Sequence, residues 1–284
     1  MANPVLNERA LQKAASSWAP PQRGTAFGDP GYAVAKDSDT PVHDGPISPW
    51  KGAMTVRGTA SATATLFVLL LASAAFGWVR TGGPTFDPQT ATYSYAIPTL
   101  AWVGIVVGLG CVIGLYFKPA LAKFLGPVYA IAQGFFVGAI SRMYETFYDG
   151  IVVQAAGATI AVFAVMLVLY RTGVIKVTDR FRKIVVSATL GIAVFYGACL
   201  LIRLFAGPGS ISFLSSPSLL GIGFSVLVAG LAAFNLALDF DFIERGAEQR
   251  LDKNFEWYAA FGLLVTIVWL YLEMLRLLAK LRER

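Results

Sequence analysis

Residues 219–246 read LLGIGFSVLVAGLAAFNLALDFDFIERG. The first twenty of these carry no charge, and Ser225 and Asn235 are their only polar side chains. A helix rises about 1.5 Å per residue, so twenty residues span about 30 Å. That is the thickness of a bilayer's hydrocarbon core, and a helix buried in a soluble protein manages with a shorter apolar run. Asp239, Asp241, Glu244 and Arg245 then follow within seven residues. The stretch reads as a membrane-crossing helix that ends in an acidic cluster at the interface.

Six further stretches read the same way, at about 57–79, 96–117, 121–141, 151–170, 184–205 and 257–279, with the quoted span at 219–238. Across the 284 residues only 14% are charged and mean hydropathy is +0.62, whereas about a quarter of a soluble domain is charged. Gly82-Gly83-Pro84, Lys118-Pro119, Gly207-Pro208-Gly209 and Ser215-Ser216-Pro217 punctuate the spans. The linkers are too short for a folded domain. The expected fold is all-α: a polytopic membrane protein with a seven-transmembrane-helix bundle over 51–284. Residues 1–50 are polar, rich in Pro, Gly, Ser, Ala and Asp and without apolar periodicity, and are expected to form a disordered cytoplasmic tail. The tail has no apolar run of signal-peptide type, so the first span is expected to direct its own insertion.

The net charge of +6 would suggest nucleic acid in a soluble protein. Here the cations flank apolar runs and set orientation instead, so no nucleic-acid partner is expected; the bilayer itself is. One side of the expected topology gathers Lys51, Arg57, Lys118, Lys123, Arg171, Lys176, Arg180, Arg182, Lys183, Arg245, Arg250 and Lys253, against Arg80, Arg142 and Arg203 on the other. The N-terminus is therefore expected in the cytoplasm, and the compact loops suit a bacterial inner membrane. Seven spans put the C-terminus outside, against the pull of Lys280, Arg282 and Arg284. Small residues four apart, Gly104 and Gly108, Gly110 and Gly114, Gly134 and Gly138, allow helix backbones to approach closely in lipid. Packing within the bundle is the expected use of these faces.

Cys111 and Cys199 lie within apolar runs and His43 stands alone in the tail, so neither a disulfide framework nor a zinc site is expected. There is no Ser-His pair, no HExxH and no phosphate loop, and two aspartates on one helix do not make an aspartyl-protease dyad, so no enzyme activity and no cofactor are expected. Ionisable groups at membrane depth are costly and are functional candidates by default. Asp239 and Asp241, two apart, point about 200° apart on a helix, so only one is expected to face the bundle interior. Asp241 and Glu244 share a face. Glu273 and Arg276, three apart, can pair locally, and Glu256 opens the last span.

Taken in order, these pieces resemble the Bax-inhibitor-type family, also called the transmembrane Bax inhibitor motif or YccA-like family, over about residues 55–280. GPVYAIAQGFFVGAIS at 126–141 and IVVQAAGATIAVFAVM at 151–166 are similar to its third and fourth helices, through Gly134, Gly138, Gln154, Ala155 and Thr159. DFDFIE at 239–244 is similar to the end of its sixth helix, and WLYLEMLRLL at 269–278 to its last. The resemblance implies a seven-helix bundle with the last helix central, a pH-gated calcium leak, and roles in stress response. It also implies an acidic pair, one carboxylate from the sixth helix and one from the seventh, that senses pH by sharing a proton and holds Ca²⁺ when both are ionised. This chain has Asp239 and Asp241 on the sixth helix, but the preferred register places Thr266 at the second position. Another register places Glu273 there, which makes Asp241 and Glu273 the pair that would hold the transported Ca²⁺. Tyr116 stands at the family's basic latch, with Lys118 nearby. The leading expectation is an ion leak through the bundle. The rival is a non-transporting regulator that binds a membrane protease or another membrane complex.

Overall fold

The computed structural model describes residues 52–83, 85–87, 92–94, 99–206 and 217–284, and the expected tail lies outside them. Seven α-helices follow in order: α1 Val56–Arg80, α2 Thr99–Phe117, α3 Ala122–Phe147, α4 Ile151–Arg171, α5 Asp179–Ala206, α6 Leu219–Glu248 and α7 Asn254–Arg282. Between α1 and α2 an antiparallel pair of three-residue strands, β1 Thr85–Asp87 and β2 Thr92–Ser94, sets Phe86 opposite Tyr93. Reading for apolar runs does not reveal a hairpin this short. A single 3₁₀ turn, Pro119–Leu121, leads into α3. Six of the helices are long and apolar enough to cross a bilayer. The remaining one, α2, has 19 residues, about 28 Å of helix. The chain is an integral membrane protein with the expected seven-helix architecture.

Several helices outrun the apolar stretches that announce them. α3 continues six residues past Ser141 and α6 ten past Leu238. Counting apolar residues stops at the first charges, whereas the backbone continues as long as those charges find partners.

α7 is the centre of the bundle and packs against α1, α3, α4 and α6. Tyr258, Phe261, Leu264, Leu270 and Leu275 are among its fully buried side chains, and the Phe261 ring meets Tyr129 of α3 edge-on at 4.8 Å. α1 and α3 run parallel and in close contact. Gly134 of α3 lies on the backbone of Leu70 and Gly138 on that of Ala74, and Ser73 Oγ donates to the Ile131 carbonyl at 2.5 Å. Gly104 and Gly108 of α2 likewise face Ala132 and Gln133 of α3. The small-residue faces therefore serve intramolecular packing, except at Gly110, which has open space beside it.

The start of α1 is tied to the start of α7. Thr55 caps α1 by accepting from Gly58 N at 2.9 Å, and its own N–H and Oγ1 both donate to Glu256 Oε1 at 3.0 Å. A carboxylate there also suits the positive end of the α1 dipole. Met54 N donates to the Leu251 carbonyl and Lys253 N to that of Gly52, so the segment entering α1 is stitched to the α6–α7 turn. At the opposite end Arg282 donates to the Asp149 carbonyl and to Gln154 Oε1, and Tyr148 to Glu283. Of the three C-terminal cations that opposed the seven-span topology, Arg282 is thus engaged at the α3–α4 turn.

A Cβ at position 138 would run into the backbone of α1, which cannot step aside as a side chain can. Gly138→Ala is expected to destabilise the fold by about 1–3 kcal/mol, as overpacked cores do. Gly157→Ala on α4, with nothing nearby, is expected to be neutral or slightly stabilising because alanine is the better helix former. Thermal unfolding of both variants in detergent checks the contrast.

Candidate functional site

α5 is the least buried of the six long apolar helices, yet one of its faces carries a polar side chain every seven residues: Arg182, Thr189 and Tyr196. Seven residues make nearly two turns, so these groups line up about 10 Å apart along one side. Each meets a buried polar partner on α6 or α7.

The first rung is an ion-pair cluster. Arg182 Nη2 lies 2.6 Å from Asp241 Oδ2, and Arg245, one turn further along α6, brings Nε to 3.0 Å from the same carboxylate. Arg245 also reaches the Val177 carbonyl in the α4–α5 connection at 3.3 Å. Beside this cluster Tyr170 of α4 donates to Glu244. The second rung is neutral: Asn235 Nδ2 donates to Thr189 Oγ1 at 2.9 Å and to the Leu231 carbonyl at 2.8 Å, with both side chains buried. In the third, Tyr196 OH donates to Glu273 Oε1 at 3.2 Å and accepts from Arg276 Nη1 at 2.6 Å, while Arg276 pairs with Glu273 at 2.9 Å. One turn beyond Arg276, Lys280 buries its ammonium against the Gly221 carbonyl and Ser225 Oγ of α6, each at 2.9 Å. Aromatic contacts flank the seam, Phe181 on Phe234 at 5.6 Å and Phe195 on Phe224 at 5.4 Å.

This geometry rearranges the residues singled out from sequence. Both aspartates are buried, Asp239 at 1% exposure and Asp241 at 6%, although only one was expected to face inward. α5 covers the side to which Asp241 points and supplies Arg182, so that side is interior too. Thr266 is buried, and its hydroxyl donates to the Gly262 carbonyl one turn back on its own helix at 3.2 Å. Glu273 pairs with Arg276 as the three-residue spacing suggested. The structure does not bring Asp241 and Glu273 together. The Lys280 contacts set the register of α7 on α6, and in that register the two carboxylates lie on the order of 15–20 Å apart along the bundle. Each is matched by guanidinium groups, and among the described residues no three acidic, histidine or cysteine side chains gather as a metal would need. Lys118 is exposed at the end of α2; Arg182 and Arg245 are the cations on Asp241.

In the sequence Arg182 and Arg245 read as orientation charges, and Thr189, Tyr196 and Asn235 as isolated polar residues without a role. The seven-residue repeat on α5 was the signal available, but its polar members are isolated in an apolar span and look like tolerated exceptions.

Fold and site together define a seven-helix integral membrane protein with a buried, charge-balanced seam between α5, α6 and α7. From residue 3 to 283 the sequence matches the family described as Bax inhibitor 1 like, and the chain belongs to that family. A comparison with curated proteins finds no match.

The two members of the Glu273–Arg276 pair differ in their way out. The Arg276 side chain is 35% exposed and that of Glu273 only 2%. A stranded Arg276 can turn toward the surface, whereas a stranded Glu273 has no such route. Arg276→Leu is therefore expected to cost more stability than Glu273→Leu, about 3 kcal/mol or more, and the double substitution to recover most of it. Denaturant unfolding of the three variants in detergent tests this order.

Proposed function

We propose that this Bax-inhibitor-like protein is a gated leak for small cations, with Ca²⁺ as the cargo its oxygen-rich groups suit best, and that the conformation described is the closed one. The observation that carries this reading is the seam itself. A peripheral apolar helix is joined to the bundle through polar rungs, two of which contain a buried carboxylate neutralised by arginine. Such groups are expensive in a membrane and typically mark ion pathways. Opening the rungs would expose the oxygens of Asp241, Asn235, Thr189 and Glu273 along a track crossing the hydrocarbon region, ligands of the kind a hard cation takes.

The Asp241 rung is the control point. It faces Arg182 of α5, Arg245 and Glu244 of its own helix, and Tyr170 of α4. Removing the Asp241 charge leaves two adjacent guanidinium groups uncompensated, and their repulsion favours movement of α5 away from α6. We place this end of the bundle in the cytoplasm, on the basic side of a bacterial inner membrane. The rival reading is the non-transporting regulator that binds a membrane protease or another membrane complex. It draws support from the tight core around Thr266, which holds its hydroxyl against its own backbone.

Calcium entry into proteoliposomes separates the two. Asp241→Asn, which removes the charge between the two guanidinium groups, is expected to leak several-fold faster than wild type. Absence of flux, with Asp241→Asn indistinguishable from wild type, rejects the leak. Recovery of a stoichiometric membrane partner by crosslinking would then support the regulator.

A further inference from the structure

A large lateral groove of about 1140 Å³ opens between α1 and α4. Its floor is formed by α3, α6 and α7, through side chains such as Val137, Ile243 and Ile267. Its walls are apolar, with Phe67 and Leu70 on α1 and Phe163 and Leu167 on α4, and the many alanines and threonines of α1 leave it wide. It exceeds the ~300–1,000 Å³ of ordinary small-molecule pockets. The charges among its lining residues are Arg171, which closes α4, and Glu244 near the end of α6, both exposed, with Tyr170 donating to Glu244.

We infer that this groove is a binding site for a zwitterionic phospholipid of the phosphatidylethanolamine type. A cation and an anion lining one end of an apolar groove, linked through Tyr170, complement a headgroup that carries both signs. Arg171 offers planar donors to the phosphate, and Glu244 with the Tyr170 oxygen accepts from the ammonium. The acyl chains lie along α1 and α4 from that end. Surrounding bilayer lipid offers them an equally apolar setting, so the headgroup pair provides the selectivity. An anionic lipid satisfies Arg171 but sets its negative charge beside Glu244. The site adjoins the Asp241 rung through Glu244 and Tyr170, but its test reads retained lipid rather than flux, so it stands or falls separately from the leak.

The test reconstitutes full-length protein in vesicles of equal phosphatidylethanolamine and phosphatidylglycerol, re-extracts it in detergent, and measures retained lipid by native mass spectrometry. Wild type is expected to retain phosphatidylethanolamine over phosphatidylglycerol by several-fold. Glu244→Gln is expected to lose that preference while retaining lipid. Ala156→Trp, which fills the groove from α4, is expected to retain little of either, with thermal unfolding confirming that the variant is folded. Equal retention of the two lipids by wild type, a preference unchanged in Glu244→Gln, or a polypeptide retained in place of lipid would each overturn the proposal.

Discussion

The Asp241 carboxylate, held between Arg182 of α5 and Arg245 of its own helix, is the contact on which the placement of α5 depends. A charge at this depth persists only if it is matched, and here the match comes partly from another helix. The interaction is thus electrostatic bookkeeping and mechanical attachment at once. Remove the negative charge and the two cations repel; remove Arg182 and the helix with the least burial loses its strongest tie. The neutral rung at Thr189 and the tyrosine rung at Tyr196 repeat the arrangement deeper in the bundle, with weaker or more shielded partners.

The other half of the molecule is held by different physics. α1, α2 and α3 approach through glycines at 104, 108, 134 and 138, where backbone meets backbone or side chain without an intervening Cβ. That is dispersion and shape, insensitive to protonation. α7 stands between the two regimes, with aromatic packing toward α3 and polar contacts toward α5 and α6. The contrast gives the bundle a rigid side and an adjustable side. The Glu256 cap on α1 joins the rigid side to the α6–α7 turn, close to the end of α6 that carries Asp241.

Much of this was legible in the residues. Run length distinguished a membrane helix from a soluble one at 219–238, and the same criterion located all seven helices within a few residues of their apolar cores. Where it fell short, at the ends of α3 and α6, charged turns continued the helix beyond the hydrocarbon. The family resemblance correctly placed α7 at the centre. The site was less legible, because a carboxylate's partner is a matter of tertiary placement. Nothing local to DFDFIE says that Arg182, 59 positions earlier, will meet Asp241. Glu273 and Arg276 were readable because they lie three apart on one helix. Lys280 reads as a flanking charge until α6 offers it a carbonyl and a hydroxyl.

The central claim is that separation of α5 from α6 opens the pathway. Its most direct test places cysteines at 189 and 235, whose side chains meet at 2.9 Å, in a background with Cys111 and Cys199 replaced by alanine. A short thiol-specific, reducible crosslinker then joins the two helices in proteoliposomes, and calcium flux is followed in an Asp241→Asn background before and after reduction. The account predicts that the crosslinked protein is silent and that reductant restores the leak. Equal flux in the crosslinked and reduced states would contradict it.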